Sequence, residues 1–388
     1  MKPRVMVFSR CYLPGFRGGG PVRSLVNLVQ ALGTEFDFRI ITRDRDEGVD
    51  QPYPSVMPGT WQAVEGAQVR YVPRSAISVR WLAREIETTS PQLLYLNSFF
   101  DSIFTLKVLV ARRSGMLPSV PVLLAPQGEL SPGALGIKSR KKAAYIRFAR
   151  LCGLYRGLEW QASSDTERND ILNTLTDVAP AHVRVAADLT ERVDDAPLAR
   201  APRSPSGPLR LCFLSRISPK KNLDLALRVL AAVKVPVDFM IYGPVEDTAH
   251  WAACQRLIAQ LPPHIQVQYG GALLPEQVRD ALSQYDLFFF PTRGENFGHV
   301  IFEALRAGVP VLISDQTPWR DLEAHGAGWS VPLHATEAFV RVIETASREL
   351  PVDRENAARR AVAYAAWRID RTAGVQAAHD LFRSLIQP

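Results

Sequence analysis

The strongest constraint on this chain is a rhythm. Short, continuous apolar runs alternate with stretches of helical spacing, and the alternation is set up twice. Val5–Ser9, Phe38–Thr42, Gln92–Ser98 and Pro121–Gly128 form the first set of runs. Leu209–Ser215, Val237–Gly243, Ile265–Gly270, Asp286–Pro291 and Pro310–Ser314 form the second. They are continuous rather than alternating, as strands of a parallel sheet covered on both faces should be. Between the first two runs, PVRSLVNLVQAL starts with proline. It places Val22, Leu25, Leu28, Val29 and Leu32 at helical spacing. Such β-α-β alternation predicts doubly wound α/β sheets.

With 388 residues the chain is too long for one ordinary core. Between the two sets lies DLTERVDDAPLARAPRSPSGPL, Asp188–Leu209, rich in Pro, Ala and Ser and poor in apolar pattern. It reads as an interdomain linker. The expected division is a first domain over 1–190 that also takes a C-terminal helix at about 368–388, a linker at 191–208 and a second domain over 209–367. Two such domains would face a cleft, with ligands beyond the carboxyl ends of the strands.

Composition narrows the class. No apolar run approaches the roughly 18 residues that span a bilayer. The first run, Val5–Phe8, is too short for a signal-peptide core of about 7–15 residues and reads as a buried strand. Cys11, Cys152, Cys212 and Cys254 lie far apart with no C-x-x-C pair. They point to a reducing cytoplasm, and to neither a metal site nor a disulfide frame. A formal charge of +7 fits an anionic partner or simple solubility.

Several loops carry candidate chemistry. FRGGGPVRS places Gly18, Gly19 and Gly20 between a strand and a helix. It lacks the G-K-[ST] of a phosphate loop, and Arg23 stands where G-x-G-x-x-G needs its third glycine. It reads either as a flexible turn or as a loop that lets a ligand approach closely. In FLSRISPKKNLDLAL, Arg216 follows a strand, Lys220 and Lys221 precede a helix, and Asn222 or a neighbour begins that helix. These cations are a solvated surface or the counter-charge of a diphosphate. Gly243, Gly270 and Gly271 follow strands, where exposed backbone can meet a nucleobase edge or simply turn.

The most specific stretch is PTRGENFGHVIFEALRAGVPV, Pro291–Val311. Gly294 and Gly298 flank Glu295, Asn296 and Phe297. His299 or Val300 begins a helix that carries Glu303 about two turns beyond Glu295. A favourable acid at a helix N-terminus explains Glu295 alone. A ligand with a sugar at each end of a diphosphate explains both glutamates.

GENFGHVIFEAL resembles the E-x7-E element of retaining, GT-B-fold glycosyltransferases of family 4, the group 1 glycosyltransferases. SRISPKKN resembles their R-x4-K donor-phosphate loop, here Arg216 and Lys221. APQGELSPGALGIKSRKK and QASSDTERNDI are similar to segments of members that assemble bacterial polysaccharides. The resemblance spans almost the whole chain and is strongest over Leu209–Pro332.

It implies a nucleotide-sugar donor in the second half and a saccharide or polyprenyl-diphosphate-linked acceptor in the first. It also implies retention at the anomeric carbon, no cofactor, no metal and no nucleic acid. Glu295 and the segment Asn296, Phe297, Gly298, His299 and Val300 would hold the donor sugar. Arg216 and Lys221 would hold the diphosphate, Glu303 the ribose, and Gly243, Gly271 and Ala272 the rest of the donor. Gly18–Gly20 would approach the diphosphate or the acceptor.

Gln127, in PQGE, stands where many members have histidine. A neutral amide is no general base, so Gln127 would position the sugar while the acceptor's proton leaves to the donor phosphate. The tail WRIDRTAGVQAAHDLFRSLIQP resembles the terminal helix that returns to the first domain. No acidic pair is set to hold a cation at a diphosphate; Asp44 and Asp46 of RDRDEG follow an early strand of the acceptor half. A sugar-nucleotide epimerase of the same fold, a phosphorylase and an inert scaffold subunit of a polysaccharide-assembly complex are the competing readings. No segment suits a phosphorylase's pyridoxal-phosphate lysine.

Ile137–Trp160 holds seven Lys or Arg (138, 140, 141, 142, 147, 150, 156) and one acid, Glu159. Ala144, Phe148, Leu151, Tyr155 and Leu158 recur at helical spacing. This is either a core-facing helix with a solvated basic face or a peripheral anchor. As an anchor, Lys138, Arg140, Lys141 and Lys142 would meet an anionic membrane on the inner face of the plasma membrane.

Overall fold

The structure is a computed structural model. It describes residues 2–191 and 207–387, apart from the side chains of 349–352. The expected linker, 191–208, therefore falls almost entirely outside the described residues. The chain divides into two compact units, Met1–Glu191 with Arg371–Pro388, and Arg192–Asp370.

In the first unit β1 (Arg4–Phe8), β2 (Asp37–Arg43), β3 (Trp61–Val64), β4 (Ala67–Val72), β5 (Leu93–Leu96), β6 (Val122–Leu124), β7 (Glu159–Ala162) and β8 (Val183–Val185) form one sheet. Its order is β3-β4-β2-β1-β5-β6-β7-β8. All neighbours are parallel except β3 and β4. That pair is a hairpin at the sheet edge. Glu65 and Gly66 turn it with φ of 45° and 89°, the left-handed pair that a tight hairpin needs.

The second unit contains β9 (Leu209–Leu214), β10 (Val237–Tyr242), β11 (Ile265–Tyr269), β12 (Leu287–Phe290), β13 (Val311–Ser314) and β14 (Gly328–Val331). Its order is β11-β10-β9-β12-β13-β14, parallel throughout. The nine apolar runs read from the sequence all contain strands. β3, β4, β7, β8 and β14 had no such run to announce them.

In each sheet the strand order reverses once, between β1 and β5 and between β9 and β12. These are the points where open α/β sheets hold ligands. In the first unit Asn97, just beyond β5, donates to Ser9 Oγ beyond β1 at 3.4 Å and to the Pro21 carbonyl at 3.3 Å.

The start of the Pro-rich stretch is not a linker. Asp188, Leu189 and Thr190 are buried. Asn27 donates to the Leu189 carbonyl at 2.8 Å and Arg371 to that of Thr190 at 3.1 Å. Their low apolar content hid a segment fixed by polar contacts.

The chain returns to the first unit in the helix Arg371–Ile386. Phe382 is fully buried against Phe36, Phe38 and Tyr95, with ring centroids at 5.7, 6.3 and 5.6 Å. His379 pairs with Glu35 at 2.9 Å. The tail is thus part of the first unit's core. Phe382→Ala is expected to destabilise that unit by about 3–5 kcal/mol. In calorimetry one of two unfolding transitions should fall while the other stays; a change in neither would separate the tail from the core.

Candidate functional site

β9 and β12 are neighbours, so the loops that follow them meet. After β9 the chain forms a short 3-10 turn, Pro219–Lys221, before the helix Leu223–Leu230. Asn222 opens that helix in a left-handed conformation, φ 61°. Its side chain reaches the second loop. Nδ2 donates to the Pro291 carbonyl at 2.9 Å, and Oδ1 accepts from Arg293 Nε at 3.0 Å. Arg293 N–H also donates to the Lys220 carbonyl at 2.9 Å.

These contacts bring Lys221 onto Glu295. Lys221 Nζ lies 2.7 and 2.9 Å from the two Glu295 carboxylate oxygens. Thr292 Oγ1 donates to Oε1 at 2.8 Å. The ammonium also lies 5.6 Å from the Phe290 ring centroid. The two side chains are only 11% and 10% exposed, so this ion pair is largely withdrawn from water. The sequence assigned Lys221 and Glu295 separate ligand groups; the structure bonds them to each other.

The surroundings carry excess positive charge. Burial pushes the Glu295 carboxyl up, yet Lys221, Lys220 and the hydrogen bonds outweigh it and hold it below the usual range. Burial also holds the Lys221 ammonium below its usual value. Glu295 opposes that shift, and Lys220 and Arg216 add to it. Lys220 and Arg216 thus add positive charge beside the pair, which a further anion would relieve.

Arg216 itself turns to Glu246 at 3.1 Å and stays one-third exposed. It acts on Lys221 through its charge rather than by contact.

The rest of the second loop is fixed from its far side. Glu295 N–H donates to the Gln316 carbonyl at 3.1 Å, and Trp319 Nε1 to the Phe297 carbonyl at 2.6 Å. The Phe297 ring packs against His299 and Trp319, with centroids at 4.7 and 5.5 Å. The Asn296 amide nitrogen is buried with no hydrogen-bond partner. Gly298 stands at φ 84° just before the helix His299–Arg306, which Val300 continues and which carries Glu303 half-buried. A Cβ at Gly298 would sit 3.0 Å from Ile301 Cδ1 and 3.3 Å from Trp319 Nε1, so glycine is needed there.

The glycine turns after β10 and β11 differ from expectation. Gly243 N–H donates to the Gly271 carbonyl at 2.7 Å, and Tyr269 Oη to the Gly243 carbonyl at 2.9 Å. Those backbone groups bond one another instead of waiting for a base edge. Gly243, at φ 129°, has no room for a side chain: a Cβ would meet the Ser215 carbonyl at 1.9 Å. Ala272 is exposed in the loop after β11.

In the first unit Gly18, Gly19 and Gly20 lie half-buried between β1 and the helix Gly20–Leu32. Asp46 ties the loop before them, accepting from Phe16 N–H at 2.9 Å and Arg17 N–H at 3.2 Å. Asp44 pairs with Arg45 at 2.8 Å. Asp44 and Asp46 of RDRDEG are thus occupied by protein. Gln127 is half-buried and left-handed at φ 56°.

The basic segment forms the helix Ser139–Leu151. Its apolar residues divide. Tyr155 and Leu158, beyond its end, are buried, whereas Phe148 and Leu151 are 59% and 78% exposed. Lys138, Arg140, Lys141 and Arg147 are exposed. Lys142 is turned inward, donating to the Ala134 carbonyl at 2.6 Å over the Phe100 ring. It does not belong to the outer basic face, and Arg150 is taken by Asp177 at 2.9 Å.

Sequence reasoning missed Thr292, Asn222's link to the second loop, and Trp319. Polar residues at strand ends carry no periodic signal. Only the αL tendency of Asn hinted at a turn there.

Residues 195–363 match the family model described as glycosyl transferases group 1. The match covers less than half of the chain and falls on the second unit, where it supports a group 1 glycosyltransferase. A D-inositol 3-phosphate glycosyltransferase of Rhodococcus erythropolis is 29% identical over 196 residues, 47% of this chain and 44% of that protein. The chain thus spans less than half the length of the curated relative it matches.

Among solved structures, Anabaena HepE in complex with UDP and glucose superposes with TM-score 0.73 and 17% identity. The superposition covers 98% of this chain and 100% of that one. WaaG, a glycosyltransferase involved in lipopolysaccharide biosynthesis, gives 0.65 and 14%, covering 97% and 99%. At such identity these establish the fold, which is GT-B.

Removing one partner of the buried pair strands the other. Lys221→Met is expected to cost about 3–5 kcal/mol, and Lys221→Met with Glu295→Leu to recover most of it. Glu295's depressed pKa contributes stability that is present above the unfolded carboxyl value of about 4.3 and lost as pH falls through the folded value. The second unit's transition should therefore weaken in acid for the wild type and much less for the double variant. Equal losses in single and double variants would mean that the pair is not coupled.

Proposed function

We propose that this chain, GT-B in fold and matched in its second unit by group 1 glycosyltransferases, is a retaining glycosyltransferase. It transfers a hexosyl group from a nucleoside-diphosphate sugar to a saccharide or lipid-linked saccharide in cell-surface polysaccharide synthesis. The observation that carries the reading is the desolvated Lys221–Glu295 pair at the point of strand reversal, with Lys220 and Arg216 adding positive charge beside it.

In this reading the arriving diphosphate supplies the missing negative charge. Lys221 shares its protons with a phosphate oxygen, and Glu295 turns one oxygen to a sugar hydroxyl. Glu303 accepts from the ribose hydroxyls. Negative charge that grows on the departing diphosphate is met by fixed cations, typically worth roughly 3–4 kcal/mol per lost contact in comparable sites. The protein supplies no nucleophile, and these cations take the place of a metal. The acceptor's proton leaves to the donor phosphate, since Gln127 cannot take it. An acceptor smaller than a polysaccharide, as the name of the inositol phosphate relative suggests, is the second reading.

A thermal-shift panel of UDP-, GDP-, ADP- and TDP-sugars, run with EDTA throughout, tests the donor. A ligand at about 100 times its Kd adds roughly 2.7 kcal/mol of stability. Glu303→Gln should weaken the bare nucleoside diphosphate about ten-fold or more. Glu295→Gln should not weaken it, yet should lower turnover about 100-fold. Equal loss of nucleotide affinity in both variants, or binding that needs added magnesium, would reject these assignments. Conversion of the donor sugar without acceptor would favour an epimerase, and binding without any turnover a scaffold.

The outer face of the helix Ser139–Leu151 extends the proposal to a peripheral location. Exposed Lys138, Arg140 and Lys141 beside exposed Phe148 and Leu151 suit an anionic leaflet. Each cation there contributes about 1 kcal/mol. No described helix is long and apolar enough to cross a membrane. The protein should pellet with anionic vesicles at low salt and be released at about 0.5 M salt. Lys138, Arg140 and Lys141 changed together to Gln should abolish pelleting and spare donor hydrolysis. A wild type that ignores such vesicles would reduce this helix to a solvated face.

A further inference from the structure

Between the end of β12 and Glu295 stands Thr292, a residue with no exposed surface. Its backbone is fixed from two sides. Its N–H donates to the Phe290 carbonyl at 2.9 Å, and Ser314 Oγ, at the end of β13, donates to the Thr292 carbonyl at 2.5 Å. The side-chain oxygen lies 2.8 Å from Glu295 Oε1, 3.3 Å from the Lys220 carbonyl and 3.4 Å from the Gly294 carbonyl. It also accepts from Gly294 N–H at 3.3 Å. A hydroxyl has a single proton to give. The shortest contact, which is also the one with a charged acceptor, takes it.

The two oxygens of Glu295 are therefore unequal. Oε1 accepts from Thr292 at 2.8 Å and from Lys221 at 2.7 Å. Oε2 accepts, among the described residues, from Lys221 alone, at 2.9 Å. Each carboxylate oxygen offers about two acceptor directions. Oε1 has used both, and Oε2 has one left. The backbone bond from Glu295 N–H to the Gln316 carbonyl fixes where the side chain starts. It does not fix how the carboxylate is turned, since the terminal torsion of glutamate is broad and roughly two-fold. Lys221 cannot fix it either, because an ammonium is a point charge that can follow a rotating partner. The Thr292 hydroxyl, held on a buried and doubly anchored residue, can.

We propose that Thr292 is a positioning residue for the transfer: its hydroxyl saturates Oε1 and turns the Glu295 carboxylate so that Oε2 is the oxygen open to a hydroxyl of the donor sugar. The role of Oε2 rests on the glycosyltransferase reading; the hold of Thr292 on Glu295 does not.

Thr292→Val keeps the branched shape and removes the hydroxyl, whereas Thr292→Ser keeps the hydroxyl. On the donor that the thermal-shift panel identifies, Thr292→Val should lower kcat about ten-fold. Affinity for the matching bare nucleoside diphosphate should stay within about two-fold, because the hydroxyl's partner is assigned to the sugar. Thr292→Ser should restore turnover. In a Glu295→Gln background Thr292→Val should cost little more, since residues that act as one unit are not additive.

A second comparison needs no substrate. Burial pushes the Glu295 carboxyl up, and Lys221, Lys220 and Thr292 together hold it down. A depressed carboxyl gives stability that is present above the unfolded value, about 4.3, and lost as pH falls through the folded one. Thr292→Val brings the folded value nearer the unfolded one. Its second unit should therefore weaken less in acid than the wild type's, with Thr292→Ser following the wild type. A hydroxyl that only completes the packing would change stability equally at every pH.

If no donor turns over in the wild type, the function reading fails and the acid comparison alone decides whether Thr292 holds Glu295. Wild-type kcat in Thr292→Val, equal losses of turnover and diphosphate affinity, no rescue by Thr292→Ser, or an unchanged acid dependence would each overturn the proposal. Should Thr292→Val not fold, Thr292→Ala takes its place in both comparisons.

Discussion

The second unit is organised around the burial of one ammonium against one carboxylate. A pair this far withdrawn from water is favourable only if its remaining hydrogen-bonding capacity is met. Thr292 meets part of it for Glu295, and the Phe290 ring offers Lys221 a polarisable face. Everything that brings these groups together is a consequence of sheet order. β9 and β12 are adjacent, so a loop near residue 220 and one near residue 293 share an edge although some 70 positions separate them. Asn222 then stitches the two loops with one side chain. Lys220 and Arg216 add positive charge beside the pair, which on the proposed reading makes it a place for an anion.

The sequence made the fold legible where strands are buried on both faces. LCFL, FMIY and LFFF could hardly be anything else, and each contains or forms part of a strand of the second sheet. β14 and β7 were invisible because GWSV and EWQA mix polar and apolar residues without a clean period. β3 and β4 escaped for a different reason: they form an edge hairpin whose signal is the Glu65–Gly66 turn rather than the strands. The glutamates, Arg216 and Lys221 were legible as residues. That Glu295 and Lys221 bond each other was not, because pairing across parallel strands is decided by topology and not by spacing. Lys142 misled for the same reason. Its charge suggested the surface, but a four-carbon stem lets an ammonium reach inward to a carbonyl.

The first unit meets a similar difficulty by different means. It too places carboxylates beneath loops at strand ends, at Glu129 and Glu167. There the groups facing Glu129 and Glu167 are backbone N–H donors, the Ser98 hydroxyl and one distant guanidinium. The difference follows from what the neighbouring loops contain. The β9 loop brings two lysines and an arginine, whereas the segments around Glu129 and Glu167 bring a serine and backbone N–H groups.

This contrast bears on how rigid each loop can be. In the ion pair between Lys221 and Glu295 each charge favours the other against the cost of burial. It can be disturbed only by a competing charge, which is what a diphosphate would be. The loop after β6 in the first unit is held instead by Glu129 and Glu167, which accept mainly from backbone N–H groups. Under the proposed function, the charged end of a donor would therefore go to the second unit, where Lys220, Lys221 and Arg216 gather.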